Sequence, residues 1–170
     1  PVTYSFDVRF SPTGPGPAGC VVMVTYMPSS GGSGSGWSLP ITLQGSGVAP
    51  SYGLTVSPQP EINFSDQVFM VASSSTAVTI TNTGATTMTV TGSNSNPADF
   101  TVSSVNGSTF GAQALMPGQD VDYAVTCTPQ AFGLRTGTLT FSSPAGPRSL
   151  ALLCNGIMPS SLDITPVPAV

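Results

Sequence analysis

The chain contains no lysine and no histidine, and its only cations are Arg9, Arg135 and Arg148. Charged residues make up 6% of it, against about 25% in an average soluble domain. Without a basic cluster there is nothing to neutralise a row of phosphates, so nucleic acid is not an expected partner. An anionic membrane surface is excluded on the same ground. Without His or Lys the common bases that activate a serine are missing, and no Gly-x-Ser-x-Gly elbow appears. No run of 18 apolar residues exists, so no membrane-spanning helix and no membrane insertion are expected. Three cysteines without histidine, at spacings unlike CxxC, leave no zinc site. No stretch of ten residues combines helical spacing with good helix formers.

What is present is alternation with a period of two. Tyr4-Phe6-Val8-Phe10, Val78-Ile80, Met88-Val90, Phe100-Val102, Tyr123-Val125-Cys127, Leu139-Phe141 and Leu150-Leu152-Cys154 each read as a strand with one buried and one wet face. Thr occupies many wet positions, where its β-branched side chain favours extended backbone. Asn82-Thr83-Gly84, Asn106-Gly107 and Pro117-Gly118 supply turns between strands. Short strands with such punctuation indicate an all-β antiparallel sandwich.

The chain also repeats itself. Residues 121–129 match 4–12, residues 149–156 match 38–45, and residues 162–168 match 54–60, at offsets of 117, 111 and 108. A repeat of about 110 residues has the size of one immunoglobulin-like domain. Residues 1–49 are therefore expected to be the C-terminal strands of one module, residues 52–157 a complete module, and residues 158–170 the first strand or linker of a following one. The start at Pro1 suggests a processed or excised piece. Three strands cannot cover their own apolar face, so another layer is expected to complete the first piece.

In the complete repeat, Asn82-Thr83-Gly84, Ala98-Asp99-Phe100, Leu115 to Gly118, Cys127 to Pro129, Gly137 to Leu139 and Leu152 to Gly156 follow one another in an order that resembles the ASH (Hydin-like) family, related to the major sperm protein fold. The closest likeness is to choice-of-anchor repeats of large secreted bacterial surface proteins. The resemblance implies a seven-stranded sandwich serving as scaffold, spacer or adhesive unit, with no catalytic residues and no cofactor. It also implies an extracellular or cell-surface setting, because ciliary and centrosomal relatives carry many more charges.

Candidate chemistry is sparse. Cys127 and Cys154 each end an alternating strand on its apolar face, and they are expected either to form a disulfide or to be two buried thiols; Phe10 and Leu43 are their counterparts in the first repeat. Cys20 is left over near the position of Thr138. Asp120 and Asp122 share the wet face of one strand, too few oxygens for Ca²⁺. Glu61, Asp66, Asp99 and Asp163 are scattered. The Gly-rich stretch Gly31–Gly36 reads as a hairpin tip rather than a phosphate loop. It ends in Trp37, a possible contact for protein or, without further support, carbohydrate. Asn63 and Asn106 stand in glycosylation sequons. The expected role is a structural or adhesive repeat whose partners are neighbouring modules or identical subunits. The alternatives are a filament or sheath subunit joined by strand addition and a ciliary ASH scaffold.

Overall fold

A computed structural model describes residues 3, 5–26, 36–105 and 110–159, and all described regular structure is β. The chain divides into two compact units, Pro1–Pro50 and Ser51–Val170.

The first unit holds β1 (Gly16–Tyr26) and β2 (Trp37–Gly47), an antiparallel pair in unbroken register from Gly16↔Gly47 to Tyr26↔Trp37. Pleating places Cys20, Val22 and Val24 on one face with Ile41, Leu43 and Gly45. The strand expected at Tyr4–Phe10 is not formed: residues 5–12 join no ladder, and Phe6, Val8 and Phe10 are exposed. The second unit shows the reason, because the equivalent strand there pairs with partners that the first unit does not contain.

Among the described residues the second unit is a sandwich of nine strands, β3 (Leu54–Ser57), β4 (Glu61–Val68), β5 (Thr76–Asn82), β6 (Met88–Asn94), β7 (Phe100–Ser104), β8 (Ala112–Leu115), β9 (Asp120–Cys127), β10 (Gly133–Ser142) and β11 (Arg148–Ile157). One sheet has the order β4-β11-β10-β6-β8 and the other β3-β5-β9-β7. Seven strands were implied. β3 and β4 come from one run of chain broken at Pro58 and Pro60, which have no N–H to donate to a ladder. The four-residue β8 adds an edge. Every ladder among the described residues is antiparallel except β4 beside β11. The turn expected at Asn106-Gly107, residues 31–35 of the glycine-rich tip, and residues 160–170 lie outside the described residues.

The core is where the inward faces meet. Val78, Ile80, Tyr123 and Val125 of one sheet face Leu139, Phe141, Leu150 and Leu152 of the other, all essentially without solvent contact. Tyr123 stacks on Phe141 at 5.9 Å, and Phe110 sets its edge against both rings, an arrangement favoured by the ring quadrupoles. Gly92 makes room for Phe110, since a Cβ there would lie 2.6 Å from that ring.

Two buried polar side chains hold the loops. Asn82 donates through Nδ2 to the carbonyls of Thr86 and Leu115, each at 3.0 Å, while its Oδ1 accepts from the Gly84 amide at 2.9 Å. Its backbone pairs with Gly118 and Gln119. The Asn-Thr-Gly turn is thus a clasp joining the end of β5 to the loops around β6 and β8. At the opposite end Asp99 is 0% exposed. It accepts from Arg135 Nε at 2.9 Å and Nη2 at 2.7 Å, from the Gln130 amide at 2.7 Å and from Asn96 Nδ2 at 2.7 Å. Burial alone would raise its pKa, but the hydrogen bonds from Arg135, Gln130 and Asn96 and the Arg135 charge outweigh it and hold the carboxyl below its ordinary value.

Candidate protein-binding surface

The hairpin β1–β2 and the hairpin β10–β11 are built alike. Gly16 pairs with Gly47 as Gly133 pairs with Gly156. A Cβ at Gly47 would strike Gly14 O and Pro12 Cβ; one at Gly156 would strike Ala131 O and Pro129 Cβ. Both pairs therefore sit under the same crossing of chain. Superposing them puts β1 on β10 with an offset of 117 and β2 on β11 with an offset of 109. Val22 then falls on Leu139, Ile41 on Leu150, Leu43 on Leu152 and Cys20 on Gly137.

This register corrects one expectation. The counterpart of Cys154 is Gly45, not Leu43, because the strand correspondence is displaced by two residues from the sequence match. Phe10, the counterpart of Cys127, has its ring over Gly45, where a Cβ would come within 2.8 Å of it. An aromatic ring on a glycine in the first unit stands where two cysteines meet in the second.

The structure joins Cys127 of β9 to Cys154 of β11 across the two sheets, with Cα atoms 6.7 Å apart and both residues buried, inside the span that disulfides bridge. Cys20 is exposed and free. It lies within β1, five residues in, opposite Leu43. Trp37 begins β2 opposite Tyr26 and is 78% exposed.

The carboxylates form no site. Asp122 accepts from Thr79 Oγ1 at 2.6 Å beside exposed Asp120, and Asp66 accepts from Asn155 Nδ2 at 2.8 Å. Glu61 is exposed at the start of β4, and Asp163 lies outside the described residues. The side chain of Asn63 is turned to its own loop, accepting from the Ser65 amide at 2.8 Å. Among the described residues no three His, Cys, Asp or Glu side chains come together, and no helix is long and apolar enough to cross a membrane.

What both units offer instead is uncovered apolar surface. In the first unit the hairpin face that carries Val24, Tyr26, Trp37 and Leu39 is open. Beside it a cleft of about 580 Å³ is bounded by Val8, Arg9, Phe10, Ala18, Cys20 and Leu43 among others. In the second unit Phe69 and Phe132 meet at 5.1 Å at the end where β11 finishes, with Met70, Val71 and Met158 exposed nearby. Backbone bonds from Phe69 to Ile157 and from Met70 to Pro129 fix these loops to each other. Grouped exposed apolar side chains of this kind mark sites of protein contact.

Comparison with family models and with curated protein sequences gives no match. Among solved structures, the ASH/PapD-like domain 7 of human CEP192 matches 79% of this chain over 99% of its own length, at 14% identity and a TM-score of 0.50. The fold is an ASH/PapD-like, immunoglobulin-like sandwich. Domains 4 and 5 of the S-layer protein SbsC match 71% of this chain and 59% of theirs at 18% identity and a TM-score of 0.41. The Vibrio cholerae VesB protease matches 60% of this chain at 22% identity and a TM-score of 0.42; this chain spans 31% of its length.

Proposed function

We propose that this chain is a structural or adhesive stretch of a secreted, multi-module surface protein of the Hydin-like, choice-of-anchor kind, and that it performs no catalysis. Residues 1–49 are the last strands of one module, residues 52–157 a full module and residues 158–170 the start of another. The observation that carries this reading is the hairpin β1–β2. It reproduces the register of β10–β11 and its closing glycine pair, Gly16 and Gly47 standing for Gly133 and Gly156, yet the face that β10–β11 buries against the β3-β5-β9-β7 sheet is open in β1–β2. Such a face is stable in water only when a second layer covers it. A surface solubilised by Ser, Thr, Asn and Gly and a cysteine pair spanning the core both suit an oxidising, extracellular setting.

The test is hydrogen exchange on the intact chain, alone and within its longer parent protein. Protection of the β1–β2 amides should rise at least a hundredfold in the longer chain, with residues 54–157 unchanged. Equal protection in both would refute the modular reading. The open face also suits a filament subunit, in which neighbouring copies supply the cover. Light scattering separates the two, since polymers growing with protein concentration favour the filament.

A further inference from the structure

The two hairpins differ at the two positions where β10 meets the Asp99–Phe100 corner. In the second unit Arg135 reaches Asp99 at 2.7 Å. A Cβ at Gly137 would lie 2.9 Å from the Phe100 ring, so only glycine leaves room for that ring. The first unit has Ala18 in place of Arg135 and Cys20 in place of Gly137. Ala18 provides no cation in the place of Arg135, and Arg9, which also lines the cleft, corresponds to Thr126 instead; a buried carboxylate without its partner at the Arg135 position is disfavoured. The Cys20 side chain stands in the volume that Phe100 fills.

The cleft beside Phe10 fits the same reading. It lies between residues 8–10, which correspond to β9, and the inner face of the hairpin. In the second unit the Phe100 ring lies against Gly137, the counterpart of Cys20, with the Phe64 ring 6.2 Å from it. We propose that the hairpin β1–β2 docks a set of strands equivalent to residues 51–117 whose corner lacks the Asp and the Phe, so that Ala18 and Cys20 act as a key admitting its own preceding strands and rejecting those of the neighbouring module. This rests on the modular reading above and adds the identity of the partner's corner. The exclusion has a physical use: adjacent modules with similar strands exchange them during folding unless each hairpin discriminates.

The test places a second copy of residues 51–117 before Pro1 of the full chain, the spacing that the offset of 117 sets. One version is unchanged; the other carries Asp99→Ala and Phe100→Ala in the added copy only. With Cys127 and Cys154 joined, Cys20 is the one thiol to alkylate, and iodoacetamide labelling of it is followed by mass spectrometry. The altered copy should slow labelling at least a hundredfold relative to the parent chain, and the unchanged copy at least tenfold less than that. A reciprocal pair, Ala18→Arg with Cys20→Gly, should restore protection by the unchanged copy, read as hydrogen exchange of Val22 and Ile41. If both copies protect equally, the key is wrong and the modular reading stands. If neither protects, both fall. If labelling of the parent chain slows as its own concentration rises, a second copy covers the face and the proposal is overturned.

Discussion

Reduction of the Cys127–Cys154 bond isolates one contribution to the stability of the second unit. The two residues are 27 apart in sequence, and closing a loop of that length lowers the entropy of the unfolded chain by an amount worth about 3.5 kcal/mol. At the unfolding entropy usual for a unit of this size, that is a fall in Tm of about 15 °C. Both cysteines are buried, so reductant reaches them only through the unfolded state. The measurement should therefore compare chain refolded in reductant with oxidised chain, by calorimetry or urea titration. Comparing the same sequence in two redox states leaves the core packing nearly constant, which a Cys→Ala pair would not do. Melting points within about 3 °C of each other, or three free thiols in non-reducing mass spectrometry, would refute the reasoning.

Asn82→Ala removes the clasp between β5, β6 and β8 and strands the buried carbonyl of Leu115 and the half-buried one of Thr86; it should cost about 2–4 kcal/mol in urea unfolding, with the midpoint shifted and the slope unchanged. Because the folded pKa of Asp99 is depressed, its contribution is fully present above the unfolded value near pH 4 and is lost as pH falls through the folded value. Stability should thus drop below about pH 4 and stay level above it in this respect, and Asp99→Asn should flatten that acid limb in a pH series of urea melts. Gly84→Ala forces a Cβ against the Ser51 and Gly53 backbone, and should lower the Tm by several degrees, of the order of a 1–3 kcal/mol overpacking cost, where Gly146→Ala meets no neighbour and should act only through its backbone conformation.

Alternation revealed the strands that pair on both sides, such as β9, because a half-buried surface writes a period of two directly into the residues. It misread Tyr4–Phe10 as a formed strand for an equally physical reason. Alternation reports which face a segment will bury, not whether a hydrogen-bonding partner exists, and the partners of its equivalent β9 are β5 and β7. The pairing of Gly45 with Phe10 was hidden because composition aligned Leu43 with Cys154, whereas glycine contacts fix the register two residues away. Asp99 looked isolated in sequence, since its partners Asn96, Gln130 and Arg135 lie 3, 31 and 36 residues off. Its place in the Ala-Asp-Phe motif was the one available sign. Asn82 was legible as a turn residue, but its burial was not, because a turn asparagine and a buried clasp share the same Asn-Thr-Gly.

The parallel pairing of β4 with β11 has a mechanical consequence. These are strands near the two ends of the unit, and both run from the Ser51 end toward the Met158 end. Tension applied through the chain draws them in opposite directions along their own length. Their hydrogen bonds are then loaded together in shear, rather than opened one at a time as at a peeled edge. Tension entering at Ser51 meets the short β3–β5 ladder before it reaches β4; once β3 gives way this pair carries the load, and pulling at Ser51 and Met158 should meet one sharp, high-force rupture. A low, gradual unzipping would show that the load passes elsewhere.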